Sequence, residues 1–289
     1  MSEFGKVAIF GAGLIGGSFA LALKSARAVD EVVAFGRTPA SLQEALELGL
    51  IDRAGINPAH EMGDADLVLI ATPVAQMPGI MERIAPYLGP QTIVTDGGST
   101  KCDVVAAARA AFGDKIAQFV PAHPIAGAEN SGPSAARHDL YQGKKVVVTP
   151  LEENDDETLD RVKRAWALCG ADIYELTPEY HDRVFAAVSH LPHLLSFALV
   201  HDLAVREDSE MFFTFAASGF RDFTRIAASH PEMWRDICLA NRAAILQELE
   251  RYTQELDELR SALLGNDGER LQQVFSLARQ VRREWASDQ

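Results

Sequence analysis

His123 opens the segment His123-Pro124-Ile125-Ala126-Gly127-Ala128-Glu129, a Gly/Pro loop that follows the apolar run Phe119-Val120. An imidazole titrates near neutrality, and in a nucleotide-binding sheet the loop at a strand end is where catalytic side chains sit. A second chemical signature lies near the N-terminus, where Val7-Ala8-Ile9-Phe10 leads into Gly11-Ala12-Gly13-Leu14-Ile15-Gly16 and then a helix-forming stretch from Ser18 to Ala26. This is strand, glycine turn and helix. Gly11 serves the tight turn, Gly13 lets backbone approach a pyrophosphate, and Gly16 lets helix pack on strand, so a dinucleotide is expected at the helix N-terminus. Leu14 and Ile15 belong to the same cofactor face.

The next strand-like run, Glu31 to Phe35, would end in a carboxylate if the cofactor were NAD, because that group takes the ribose hydroxyls. Gly36-Arg37-Thr38 stands there instead. With no carboxylate to repel a phosphate and a guanidinium placed to pair with one, the expected cofactor is NADP, with NAD still usable. The plain alternative is a solvated arginine after a strand. Gly36, Arg37 and Thr38 are assigned to the cofactor, as are Thr72 and Pro73 just beyond the run Leu67 to Ala71.

The chain has 289 residues, 47% of them hydrophobic, enough for two domains with a sizeable core. A net charge of −14 with no basic stripe argues against nucleic acid. Cys102, Cys169 and Cys238 lack metal-ligand spacing and are odd in number, which fits packing residues in a reducing compartment. No metal site is expected. The first residues lack a basic leader, and by inspection no stretch approaches the length of a membrane span, so the expected location is the cytoplasm without membrane contact.

Strand-like and helical patterns alternate as far as the run Asp172 to Leu176, which predicts an α/β fold with a Rossmann-type, doubly wound, mostly parallel sheet. The pattern changes at Thr177-Pro178-Glu179, where Thr caps a helix and Pro takes its first position. Tyr180 to Arg206, Glu210 to Ala217, Trp234 to Leu264 and Glu269 to Trp285 all carry helical periodicity, so an all-α domain is expected over 177–289 after a dinucleotide domain over 1–176. Trp234 and Asn241 read as helix packing.

Four motifs in this order behind the fingerprint carry a resemblance: Asp96-Gly97-Gly98-Ser99-Thr100-Lys101, His123 to Glu129, Ser189-His190-Leu191-Pro192-His193, and Gly219-Phe220-Arg221-Asp222-Phe223-Thr224-Arg225. Together they are similar to the prephenate and arogenate dehydrogenase family, over nearly the whole chain. The resemblance implies a Rossmann-type domain plus a helical dimerisation domain, a homodimer, and NAD(P)-dependent oxidative decarboxylation of a cyclohexadienyl dicarboxylate on the way to tyrosine. It does not separate prephenate from arogenate.

That chemistry needs an acceptor for the substrate hydroxyl, a cation for a carboxylate and a nicotinamide held at the carbinol carbon. His123 is the expected acceptor. Ser99 bonds His123 or the substrate hydroxyl, or else Ser99 or Thr100 caps the helix starting near Lys101, with Asp103 completing the pattern. Arg225 is the expected carboxylate clamp, since a guanidinium offers bidentate geometry, and Arg221 lies one helical turn away on the same motif. His190 and His193 lack the further ligands a metal needs; the resemblance makes them active-site residues of the helical domain, and places Glu129 at the cleft entrance. Two other readings stay open. A β-hydroxyacid dehydrogenase would carry a lysine in Tyr180 to Arg206, which has none, and a cofactor-sensing module would lack His and Arg converging from the second domain.

Overall fold

The computed structural model describes residues 2–127 and 130–287. The chain divides into two compact units, Met1–Arg242 and Ala243–Gln289. In the first, strands β1 (Phe4–Phe10), β2 (Val29–Phe35), β3 (Arg53–Ala54), β4 (Leu67–Ile70), β5 (Ile93–Asp96) and β6 (Phe119–Val120) form an all-parallel sheet in the order β3-β2-β1-β4-β5-β6. The order reverses between β1 and β4. Ligands of doubly wound sheets bind at that switch point, beyond the carboxyl ends of the strands. β1 is buried from Lys6 to Phe10, as a central parallel strand must be, with Val7 beside Val32 on one side and Leu67 on the other.

Helices α1 (Leu14–Ser25), α2 (Pro39–Glu47), α3 (Met77–Ile84), α4 (Cys102–Phe112) and α5 (Asp156–Leu168) cover the sheet. Phe19 of α1 and Trp166 of α5 meet edge to face at 4.7 Å in one layer of core, with Tyr141 against the same indole. Met77, Met81, Val104 and Phe112 fill the other layer.

The strand alternation suggested one sheet, but β7 (Ala122–Pro124), β8 (Lys145–Val148) and β9 (Asp172–Glu175) make a second one, with β7 antiparallel to β8 and β8 parallel to β9. Side chains tie the two sheets together. Asp96 at the end of β5 accepts the Ala122 N–H at 3.1 Å, and the wholly buried Lys101 pairs with Asp96 while donating to the Ala122 carbonyl at 2.8 Å. His123 therefore sits in a strand pinned on both backbone faces of its neighbour.

The rest of the first unit is helical: α6 (Pro178–Phe185), a π-helical turn (Ala186–His190), α7 (Leu191–Ala204), α8 (Ser209–Thr214), α9 (Ser218–Thr224), a 3₁₀ turn (Arg225–Ala228) and α10 (Pro231–Ala240). Thr177 caps α6, its hydroxyl accepting from Tyr180 N, with Pro178 at the first position. The periodic run from Trp234 to Leu264 is not one helix. It breaks at Asn241, and α11 (Arg242–Leu264) and α12 (Gly268–Ser287) follow. The absence of a span-length stretch also needs correction: α6, the π turn and α7 run unbroken over the 27 residues Pro178–Ala204, apolar enough by composition to cross a membrane. The run nevertheless buries His181, Asp182 and His190 against protein.

Candidate active site

Two clefts meet at the glycine turn. The first, about 780 Å³, passes Gly11, Gly13, Gly36, Arg37, Thr72 and Pro73. The second, about 510 Å³, shares Gly13, Thr72 and Pro73 with it and continues past Leu14, Ile15 and Ser99 to His230. Gly11 has φ of +98°, and a Cβ there would stand 2.5 Å from the Ala71 carbonyl. A Cβ on Gly16 would meet the Gly11 carbonyl at 2.1 Å, so helix and turn touch only because both lack side chains. A Cβ on Gly13 would find nothing nearer than 3.9 Å, leaving that backbone open to both clefts. α1 starts at this point with no side-chain cap and no acid in its first turn, so its free N–H groups suit a pyrophosphate. Thr72 Oγ1 is buried beside them without a hydrogen-bond partner among the described residues. A dinucleotide fits this arrangement.

At the far end of the first cleft the space around Gly36 is already taken. A Cβ there would lie 2.9 Å from Leu42 Cγ, so the carboxylate typical of an NAD site has no room. Arg83 of α3 joins Arg37 in lining the cleft, and no Asp or Glu lines it among the described residues. Thr38 is used differently: it caps α2, accepting from Ser41 N at 3.2 Å, and is not among the lining residues.

The chemistry converges on β7, α4 and α6. His123 Nδ1 lies 2.8 Å from His181 Nε2, and His181 Nδ1 lies 2.9 Å from Asp182 Oδ1. The Asp182 carboxylate also accepts the backbone N–H groups of Lys101 and Cys102 at 2.8 and 2.9 Å. These contacts assign the protons. Burial would raise the Asp182 carboxyl, but the His181 hydrogen bond and the two N–H groups outweigh it and hold it below its ordinary value. An ionised carboxylate can only accept, so His181 carries its proton on Nδ1 and offers a lone pair at Nε2. His123 must then donate from Nδ1, which leaves Nε2 as its lone pair; no hydrogen bond engages that atom among the described residues. Burial, followed by the charges of His181, Lys101 and His190, pushes the His123 pKa well down, so the ring is a neutral acceptor. Phe185 packs on both rings, at 4.8 Å from His123 and 4.5 Å from His181.

His190 is 1% exposed, with Asn241 Nδ2 at 3.1 Å from its Nδ1 and the Ser99 backbone near enough to pull its pKa upward against burial. His193 stacks face to face on Trp234 at 3.5 Å, bonds the Ser189 carbonyl through Nδ1, and lies close enough to Arg225 for that charge to lower its pKa after burial has done so. Trp234 is thus part of the site and not helix packing alone. Ser99 faces the second cleft beside Gly97 and Gly98. Neither Ser99 nor Thr100 caps α4, which has no side-chain cap of its own; the cap comes from Asp182. Thr100 Oγ1 and Asp103 Oδ1 are buried without partners among the described residues. Arg221 lies exposed on α9, and none of the described contacts joins it to the imidazoles. Glu129 lies outside the described residues.

His181, Asp182, Lys101 and Asn241 carry the network; the first two were not singled out in the sequence, and Asn241 was read there as helix packing. His181-Asp182 follows the Thr177-Pro178 helix start by one turn, and a His-Asp pair there was the available signal. Lys101 was visible only as the end of Asp96-Gly97-Gly98-Ser99-Thr100-Lys101, where its burial could not be read.

Residues 19–175 match the sequence model of the prephenate dehydrogenase nucleotide-binding domain, and residues 177–277 that of the prephenate dehydrogenase dimerization domain. The chain is 35% identical to a prephenate dehydrogenase of Bacillus subtilis, over 96% of this chain and 75% of that one. It is 33% identical to a cyclohexadienyl dehydrogenase of Zymomonas mobilis, over 98% and 96%. The crystal structure of prephenate dehydrogenase from Aquifex aeolicus in complex with hydroxyphenyl propionate and NAD+ superposes with a TM-score of 0.91 at 35% identity, covering 97% of this chain and 98% of that one.

Proposed function

Because the chain belongs to the prephenate dehydrogenase family, we propose that it oxidatively decarboxylates a cyclohexadienyl dicarboxylate, prephenate or arogenate, in tyrosine biosynthesis, with His123 as the acceptor for the substrate hydroxyl. The observation that carries the role of His123 is its pair of hydrogen-bonded neighbours, which leaves one unprotonated nitrogen on a part-buried neutral ring.

When bound, the nicotinamide supplies the hydride acceptor. His123 Nε2 takes the hydroxyl hydrogen bond and then the proton, as the C–H electron pair leaves the carbinol carbon. The bond to the ring carboxylate breaks, its electron pair enters the ring, and aromatisation drives the loss of CO2. The imidazolium formed on His123 is stabilised through His181 by the Asp182 carboxylate, which stays ionised; this is the role of the aspartate in a Ser-His-Asp triad. Ser99, its backbone near His190, offers a hydroxyl at the nicotinamide side of the cleft. Arg225, with His193 beside it, holds a substrate carboxylate. Arg221 and Glu129 are added to the proposed substrate-binding set on the family resemblance alone.

The cofactor we assign is NADP in preference to NAD. Arg37 and Arg83 share a cleft without carboxylates, and Leu42 fills the space an acidic residue at position 36 would need. The functional boundary falls between Leu176 and Thr177. A homodimer is supported by the match to a dimerization domain and by exposed Met211, Phe212, Phe213 and Phe215 on and just after α8, whose burial against a second copy would remove apolar surface from water. We place this enzyme in the cytoplasm.

The test is direct: mix the protein with NADP or NAD and with prephenate or arogenate, and follow absorbance of the reduced cofactor. Turnover of either substrate supports the assignment, and none with any pairing rejects it.

A further inference from the structure

Asn241 ends α10 with φ of −99° and ψ of 29°, a conformation open to any residue, so the backbone does not require asparagine there. The residue is 5% exposed, and its amide nitrogen meets two partners. Nδ2 donates to the Asp182 carbonyl at 2.7 Å and lies 3.1 Å from His190 Nδ1. A backbone carbonyl can only accept, which forces the NH2 end of the amide to face Asp182. The second N–H of that group is then the one that meets His190, so Nδ1 of His190 must be a lone pair. Its proton therefore sits on Nε2, on the ring edge away from Asn241.

We infer that Asn241 is a positioning residue for the reaction, fixing the tautomer of His190 and through it the Gly97–Ser99 turn that walls the nicotinamide side of the cleft. The π-helical turn Ala186–His190 places His190 for this. Such turns in otherwise α-helical segments are frequent at functional sites. One amide group also grips the backbone of Asp182, whose side chain caps α4 and holds His181. Both halves of the site, the imidazole relay and the serine turn, are thereby referred to one buried amide.

Burial holds His190 at a pKa of about 4, against the pull of Asp182 and with the push of His181 and His193. The groups that face it are Asp182 and His181 of α6, His193 of α7, His123 of β7, Trp234 at 6.1 Å and Asn241 itself. None of them supplies a second acceptor at Nδ1 while Asn241 keeps its orientation.

The test reads the histidine side-chain nitrogens of the full-length protein by ¹⁵N NMR, with His190→Gln used for assignment. It needs no substrate, so its failure is separable from failure of the proposed reaction. In the wild type His190 is expected neutral and protonated at Nε2 from pH 5.5 to 8; a proton on Nδ1 overturns the inference even if no variant folds. Asn241→Asp puts a carboxylate against Nδ1. It should move the proton to that nitrogen or charge the ring, add an ionisation near neutrality to the pH profile of kcat, and lower kcat on the order of 10-fold with a smaller change in KM. Asn241→Leu should lose kcat without the new ionisation. If both variants lower kcat and Tm in parallel, with the His190 tautomer and the pH profile unchanged, Asn241 only packs.

Discussion

Asp182 accepts the backbone N–H of Lys101 at 2.8 Å, so a carboxylate from α6 caps a helix that begins 80 residues earlier. The same side chain holds His181, which couples a structural job to a catalytic one. Asp182→Asn keeps the shape but offers one acceptor oxygen where two are used, and its NH2 must face either an N–H donor or His181. Loss of the fixed tautomer should lower kcat by about 10³-fold with little change in KM. The unmade cap should also cost about 1–3 kcal/mol of stability. Steady-state kinetics and thermal unfolding measure both, and a variant with wild-type kcat would remove Asp182 from the mechanism.

In the proposed reaction the part-buried His123 sets the acid limb of the rate profile. Only the neutral ring accepts a proton, and its pKa is depressed first by burial and then by neighbouring charge. kcat/KM should therefore stay level as pH falls from 8 through 6.5 and decline only well below the usual histidine range. An acid limb centred at 6.5 or higher would show that the acceptor is a solvated group and not this imidazole. His123→Asn should lower kcat far more than it weakens substrate binding, which places the loss in the transition state.

The proposed preference for NADP rests on two guanidinium groups and one leucine. Removing Arg37 or Arg83 takes away a charge-assisted contact to the 2′-phosphate, expected to raise KM for NADP by about 10- to 100-fold each while leaving NAD almost unchanged. Gly36→Asp alone should impair both cofactors, because its Cβ would stand 2.9 Å from Leu42 Cγ. Adding Leu42→Ala makes room, and the double variant should then favour NAD. Equal KM values for NADP in wild type and Arg37→Ala would end this account of specificity.

The features legible in the sequence are those written in local chemistry. The Gly11 to Gly16 turn, the Thr177-Pro178 helix start and the strand runs Leu67 to Ala71 and Lys145 to Val148 announce themselves through conformational demands of single residues or short periods. His123 was legible because a titratable ring in a Gly/Pro loop is unusual. What stayed hidden depends on distance across the chain. Asp182 as the cap of α4 leaves Ser99 and Thr100 looking like the cap, since nothing local records a carboxylate arriving 80 residues later. The second sheet was hidden for the same reason: Ala122 and Val148 pair antiparallel across 26 residues, and periodicity gives strands without their partners. Asn241 lay inside a helical pattern whose break is one turn residue wide.

The final prediction concerns stability in acid, where the buried imidazoles work against the fold. In the unfolded chain a histidine binds a proton below about pH 6.5, whereas folded His190 stays neutral until about pH 4. Between these values the unfolded state binds more protons, so stability falls as pH falls through that window and is fully present only above it. For His190 alone the loss is about 3 kcal/mol across the window. His123 and His181, lowered by the same burial, steepen the fall. Asp182, whose folded pKa is also lowered, contributes in the same sense at lower pH, its stabilisation fading as pH falls below the ordinary carboxylate range. The comparison that isolates the effect is His190→Gln, whose amide can accept from Asn241 and donate to Ser99 without titrating. Urea unfolding from pH 7.5 to 4.5 should show a shallower loss of stability in that variant than in the wild type. Identical slopes would mean that His190 is already charged in the folded protein.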